Sequence, residues 1–236
     1  MASKQTTGPG HDRIDQDNTA PGPLEMDGLP MPRRIWAICA ISFGTALFVV
    51  DGAIANVALP TIARDLSVSN GAVTSVVTVY QLVMVMVLLP FATIGDRIGH
   101  RRLYQIGQVI FFLASTAALL IDSFWHLIAV RVLQSFGAGI ALSVSAAMLR
   151  TIYPAKSLGS GLGINSVIVA TAYAVAPTLG GFIVENLDWR WVFVAAAPLA
   201  LISLAIGRFL PEPEPRYGRV DTISGLWSAL TALLLI

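Results

Sequence analysis

Ile94-Gly95-Asp96-Arg97-Ile98-Gly99-His100-Arg101-Arg102 lies between two long apolar runs, and its reading decides the fold. A buried core has no use for charges at this density. Between two segments of membrane length the stretch reads as a short polar connector, with glycines allowing a tight backbone and arginines held at one face of a bilayer.

The composition agrees. Hydrophobic residues make up 55% of the 236 and charged residues 12%, about half the charged share of a soluble domain. The net charge of +1 says nothing about partners, whereas the clustering of the charges leaves long uncharged stretches. The single Cys39 excludes an internal disulfide. His11, His100 and His126 are too scattered to build a metal site, and no G-x-x-x-x-G-K-[ST] loop is present, so direct ATP drive is not expected; nothing in the chain suggests an enzyme, and no nucleic-acid partner is expected.

A membrane-crossing helix needs about 20 mostly apolar residues. Residues 35–59, 72–94, 103–121, 124–149, 158–184 and 189–209 meet that length. Backbone polar groups in lipid must be satisfied within the segment, so each is expected to be helical. The expected fold class is an all-α membrane protein. Residues 1–33, rich in Gly, Pro, Asp, Asn and Thr, are expected to form a disordered cytoplasmic tail. Residues 34–210 form a six-helix bundle, 211–221 a short cytoplasmic linker, and 222–236 the start of a seventh helix. That last piece reaches only about 22 Å at the helical rise, short of a core of about 30 Å. The chain is therefore expected to be a truncated portion of a longer protein, requiring a missing C-terminal half or a partner half.

Orientation follows from the basic residues. With the N-terminus inside, Lys4, Arg13, Arg33, Arg34, Arg97, Arg101, Arg102, Arg150, Lys156, Arg208, Arg216 and Arg219 all face the cytoplasm, twelve of fifteen. Only Arg64 and Arg190 fall outside, and Arg131 lies within a span.

Two charges inside spans demand a reason, because each costs at least about 2.5–3.5 kcal/mol near mid-bilayer. Asp51 stands roughly 24 Å up the first span, and Arg131 roughly 10 Å down the fourth from the opposite side. Both fall at similar depth, so a pair is geometrically possible. The alternative has Asp51 facing water in a cavity and Arg131 snorkelling outward. Gln81 and Gln134 are polar residues within spans that suit substrate contact or helix–helix hydrogen bonding. In the fifth span Gly159, Gly163, Ala172, Ala176 and Gly180 recur at four-residue spacing, which predicts one small-residue face for close helix approach. Pro90, Pro177 and Pro198 are expected to bend their spans.

These residues resemble the major facilitator superfamily, and more narrowly its fourteen-helix drug–proton antiporters. The family's G-x-x-x-D-R-x-G-x-R-R loop is matched by Ala92, Asp96, Arg97, Gly99, Arg101 and Arg102, with alanine for the leading glycine. The first span ends in a family-like D-x-x-x-x-N-V-A-L-P from Asp51 through Asn56 to Pro60. The R-x-x-Q-G-x-G pattern appears as Arg131, Gln134, Ser135 and Gly137, with serine for the first glycine. The fifth span resembles the antiporter signature ending G-P-x-x-G-G through Gly163, Ala172, Ala176, Pro177, Gly180 and Gly181, with alanine for two glycines. Trp189-Arg190-Trp191-Val192-Phe193 resembles the W-R-W-x-F entry to the sixth helix.

The resemblance implies two six-helix halves rocking about a central cavity, of which this chain supplies the N-terminal one. It implies a multi-pass protein of a bacterial plasma membrane, driven by the proton gradient without a cofactor and exporting small amphipathic molecules. Asp51 and Arg131 would couple protons, with Arg131 tuning the proton affinity of Asp51. Gln81, Gln134 and Asn56 would face substrate. Asp96, Arg97, Gly99, Arg101 and Arg102 would latch the two halves. Uptake of a nutrient on the same fold, or a truncated and non-transporting membrane subunit, are the competing readings.

Overall fold

The computed structural model describes residues 28–211. Residues 1–27 of the expected tail, all but Pro211 of the linker, and the expected start of a seventh helix lie outside the described residues.

Helix α1 is Arg33–Asp65, α2 Asn70–Ile98, α3 His100–Ala117, α4 Phe124–Ile152 and α5 Ala155–Asn186; α6 is Trp191–Val194 and α7 Ala197–Ile206. Short 3₁₀ turns follow at Ala118–Leu120 and Gly207–Phe209. Among the described residues, six helical segments are long and apolar enough to cross a membrane, the sixth being Trp191–Phe209. Most extend a turn or two past the expected apolar limits, because polar residues at a span's ends continue the helix into the interface.

The helix ends follow local chemistry. The Ser69 hydroxyl accepts from Ala72 N at 3.1 Å and Ser123 from His126 N at 3.3 Å, each satisfying an otherwise unpaired first-turn donor. Gly99 alone separates α2 from α3: its N–H closes α2 on Gly95 O at 3.0 Å, and its carbonyl accepts from Leu103 N at 3.1 Å. The turn between them places Gly99 at φ +101°, a backbone state that favours glycine.

Pro60, Pro90 and Pro177 sit inside uninterrupted helices. At Pro198 the helix ladder is interrupted, as its missing N–H leads one to expect. The sixth span is interrupted by a turn at Ala195 and Ala196, and Pro198 has no N–H to give Val194 O.

α1 and α4 are the most enclosed spans, and α2 and α5 the least. The main packing pairs are α3 with α4, α2 with α4, and α1 with α5. Two hydrophobic clusters result. One gathers Leu47 and Phe48 of α1, Tyr104 and Phe111 of α3, and Ile140 to Met148 of α4. The other gathers Val50 to Ile62 of α1, Val73 and Val76 of α2, Leu127 and Val130 of α4, and Phe193. Their boundary falls between Phe48 and Val50 on α1, beside Asp51, and just after Val130 on α4, at Arg131.

The expected single small-residue face on α5 is corrected. Ala176 is fully buried, and a Cβ on Gly180 would meet Ile54 and Val57 of α1 at 2.9 and 3.2 Å. A Cβ on Gly159 or Gly163 would meet nothing within 4 Å. Nine residues separate Gly163 from Ala172, about two and a half helical turns, so the two stripes point to opposite sides of the helix.

Candidate functional site

At the boundary between the two apolar clusters lies a layer of polar side chains. Asp51 and Arg131 are both fully buried. Arg131 Nη1 donates to Asp51 Oδ2 at 2.8 Å and to Gln134 Oε1 at 3.0 Å. Residues 131 and 134 share a face one turn apart on α4, which lets the amide oxygen reach the guanidinium. The Gln134 amide in turn donates to Ser115 Oγ of α3 at 2.9 Å and to Phe193 O of α6 at 3.2 Å. The layer therefore ties α1, α3, α4 and α6 together.

Aromatic rings complete the enclosure. The Arg131 guanidinium carbon lies 4.0 Å from the Tyr80 ring centroid and 5.2 Å from that of Phe193. A guanidinium between ring faces is attracted by their quadrupoles, and more strongly where water is excluded. Asp51 Oδ1 and Arg131 Nε and Nη2 make no hydrogen bond among the described residues. A buried ion pair with unused donors and an unused acceptor is under-satisfied, and such a pair is sensitive to loss or neutralisation of either member.

The sequence leaves open whether Asp51 and Arg131 pair; in the structure they do, with Gln134 beside them, and Arg131 does not reach outward. Asn56 and Gln81 are not brought to this layer. Asn56 is exposed, its amide donating to Gly52 O and Ala53 O of its own helix at 3.3 Å each. Gln81 is exposed on the open side of α2. Tyr80, Ser115 and the Phe193 carbonyl were not anticipated. Tyr80 carries a signal in its position beside Gln81; a backbone acceptor carries none.

A second buried polar group was also unanticipated. Tyr104 OH lies 2.9 Å from Ala40 O and 2.8 Å from Ser203 Oγ. Ser203 Oγ lies 2.9 Å from Ala40 O and accepts from Gln108 Nε2 at 3.2 Å. This group binds α3 and α7 to α1, and Gly44 leaves the room that Tyr104 and Gln108 fill.

At the α2–α3 connector, His100 Nε2 lies 3.3 Å from Asp96 Oδ1. Arg97 and Arg102 are exposed and Arg101 is half-buried. Gly95 lies against α4, where a Cβ would meet the Val144 side chain at 2.5 Å. The opposite end of the bundle is clamped by the Trp-Arg-Trp segment. Trp189 Nε1 donates to Asp65 Oδ2 at 2.7 Å, Arg190 Nε donates to Ile121 O at 2.6 Å, and Arg190 Nη1 pairs with Asp188 Oδ2 at 2.9 Å.

Six membrane-length helices around a buried charge pair define a multi-pass integral membrane protein. The profile of the Major Facilitator Superfamily matches residues 41–235, and the chain belongs to that family. The chain is similar to the uncharacterized transporter YebQ of Escherichia coli K12, 44% identical over 90% of this chain and 47% of YebQ. It is similar to the riboflavin transporter RibZ of Clostridioides difficile 630, 32% identical over 78% of this chain and 40% of RibZ. It is also similar to the puromycin resistance protein pur8 of Streptomyces alboniger, 33% identical over 80% of this chain and 38% of pur8. The chain thus spans less than half the length of each of these relatives. Among solved structures, the partially occluded, inward-open xylose transporter XylE from E. coli matches in fold. Its TM-score is 0.63 at 17% identity, covering 86% of this chain and 58% of that one.

Proposed function

We propose that this chain forms the first half of a secondary active transporter that exports drugs or other amphipathic organic compounds in exchange for protons. The observation that carries this reading is the fully buried Asp51–Arg131 pair at 2.8 Å, set at the seam between two apolar clusters. An ionisable pair in that position is a functional site by default. When Asp51 takes up a proton, the attraction to Arg131 falls. The guanidinium then keeps Gln134 and the faces of Tyr80 and Phe193. The ionised and neutral states favour different packings of α1 against α4, which is the bistable element that alternating access requires.

The proton gradient supplies the energy, and no cofactor enters. The N-terminus lies in the cytoplasm and the protein in a bacterial plasma membrane, as the basic residues favour. Asp96, Arg97, Gly99, Arg101 and Arg102 form a cytoplasmic latch toward the second half. Gln81 and Asn56 face substrate from sides left open in this bundle, and Gly163 and Gly181 offer close approach on α5. The likeness to pur8, named for puromycin resistance, supports export.

The test is ethidium efflux from bacteria that lack their own pumps and produce this protein. The expected outcome is efflux that a protonophore stops and that Asp51→Asn abolishes. Undiminished pH-driven efflux by the Asp51→Asn protein would remove the pair from the mechanism. The likeness to RibZ favours a second reading, uptake of a metabolite. Accumulation of labelled riboflavin with no ethidium efflux selects it.

A further inference from the structure

We propose that Arg33, Trp36, Arg208 and Phe209 form a binding site for the phosphate of an anionic phospholipid, on the membrane surface where α1 begins. The fold brings the first residue of α1 against the last turn of the sixth span. Arg33 Nε donates to Phe209 O at 3.1 Å and Nη2 to Leu210 O at 3.4 Å. The Trp36 and Phe209 rings stack with centroids 5.9 Å apart. Arg208 lays its guanidinium over the same Phe209 ring, 4.9 Å from the centroid. Two guanidinium groups are thus held at Phe209, one on its carbonyl and one over its ring.

The chemistry of this arrangement selects its ligand. A guanidinium carries five N–H donors in a planar fork matched to phosphate. Arg33 spends two on the carbonyls that fix it, and its remaining donors are available to an anion. Among the described residues, neither Arg33 nor Arg208 forms an ion pair. The far end of the bundle contrasts with this, since Arg190 there is neutralised by Asp188 and approached by Asp65. Around the two arginines, Met31, Ile35 and Trp36 are exposed apolar side chains at a helix end, the setting of acyl chains and headgroups rather than of bulk water. Basic residues at that boundary recruit anionic lipids. A diester phosphate with its acyl chains satisfies both the guanidinium donors and the apolar rim; a free phosphate satisfies only the first. The site stands apart from the charge pair and from the transport reading.

Native mass spectrometry of the purified protein tests this, with phosphatidylglycerol and phosphatidylcholine offered at equal concentration. The parent protein should retain more phosphatidylglycerol, by about fivefold for each arginine engaged. Arg208→Gln leaves every hydrogen bond described here in place and should reduce the preference. Arg33→Gln/Arg208→Gln should abolish it, Arg208→Lys should keep part of it, and Arg150→Gln, at another helix end, should leave it unchanged. No preference in the parent, or an undiminished one in both Arg208→Gln and the double variant, overturns the proposal. Displacement of the lipid by millimolar inorganic phosphate also overturns it, by showing a simple anion site.

Discussion

Gly107 of α3 and Gly137 of α4 meet backbone to backbone. A Cβ on Gly107 would lie 2.6 Å from Gly137 O, and one on Gly137 would lie 2.7 Å from Gly107 O. Neither obstacle is a side chain that can rotate away, so the two helices must separate to admit a methyl group. Close approach of this kind replaces the hydrophobic drive that lipid does not supply.

Gly137→Ala should therefore cost about 1–3 kcal/mol, the usual range for overpacking a close contact. Thermal unfolding of the purified protein in detergent should show a clear fall in midpoint. Gly159→Ala and Gly163→Ala, where a Cβ meets nothing within 4 Å, should leave the midpoint unchanged or slightly raised.

Asp51→Asn strands the buried Arg131 charge. Removing one partner of such a pair costs about 3–5 kcal/mol. The double variant Asp51→Asn/Arg131→Gln carries no stranded charge and should recover much of the stability by the same thermal measurement. Transport should not recover with it. A double variant as unstable as the single one would mean that the pair acts through its shape rather than its charge.

Gly99→Ala places a side chain at φ +101° in the one-residue junction between α2 and α3. Strain of that kind costs about 1–3 kcal/mol. Limited proteolysis at Arg97 and Arg101 should accelerate in this variant, because relief of the strain requires the connector to open. Equal cleavage rates in parent and variant would show that the junction tolerates the residue.

Ser203→Ala deprives Gln108 Nε2 of its acceptor and Tyr104 of a neighbour, in a fully buried setting. An unsatisfied buried donor costs about 1–3 kcal/mol. Adding Gln108→Leu removes the orphaned amide, and the unfolding midpoint of the pair should rise above that of Ser203→Ala alone.

What could be read from the chain depended on how the information is stored. Spans were legible because lipid requires length and low charge in one continuous stretch. Asp51 and Arg131 stood out for the same reason, and their depths could be compared by counting residues. Ser115 could not be singled out, since Ser occurs throughout the spans without bearing on charge, and Tyr80 is marked only by its neighbour Gln81. The Phe193 acceptor is a backbone atom, exposed to Gln134 by the geometry of the sixth span. On α5 the four-residue spacing holds within each stripe but not between them. The phase across Gly163 to Ala172 is what turns Gly159 and Gly163 away from α1. Gln81 and Asn56 show the converse: polarity inside a span marks a residue as unusual without saying which way it points.

The turn at Ala195 and Ala196 divides the sixth span into two rods with separate anchors. The short rod is gripped through Phe193 by Gln134, and the long rod through Ser203 by Tyr104 and Gln108. α1 and α4, which carry the Asp51–Arg131 pair, run unbroken from end to end, whereas the sixth span does not. The sixth span is a jointed strut: its short rod is tied to the charged layer and its long rod to the second polar group.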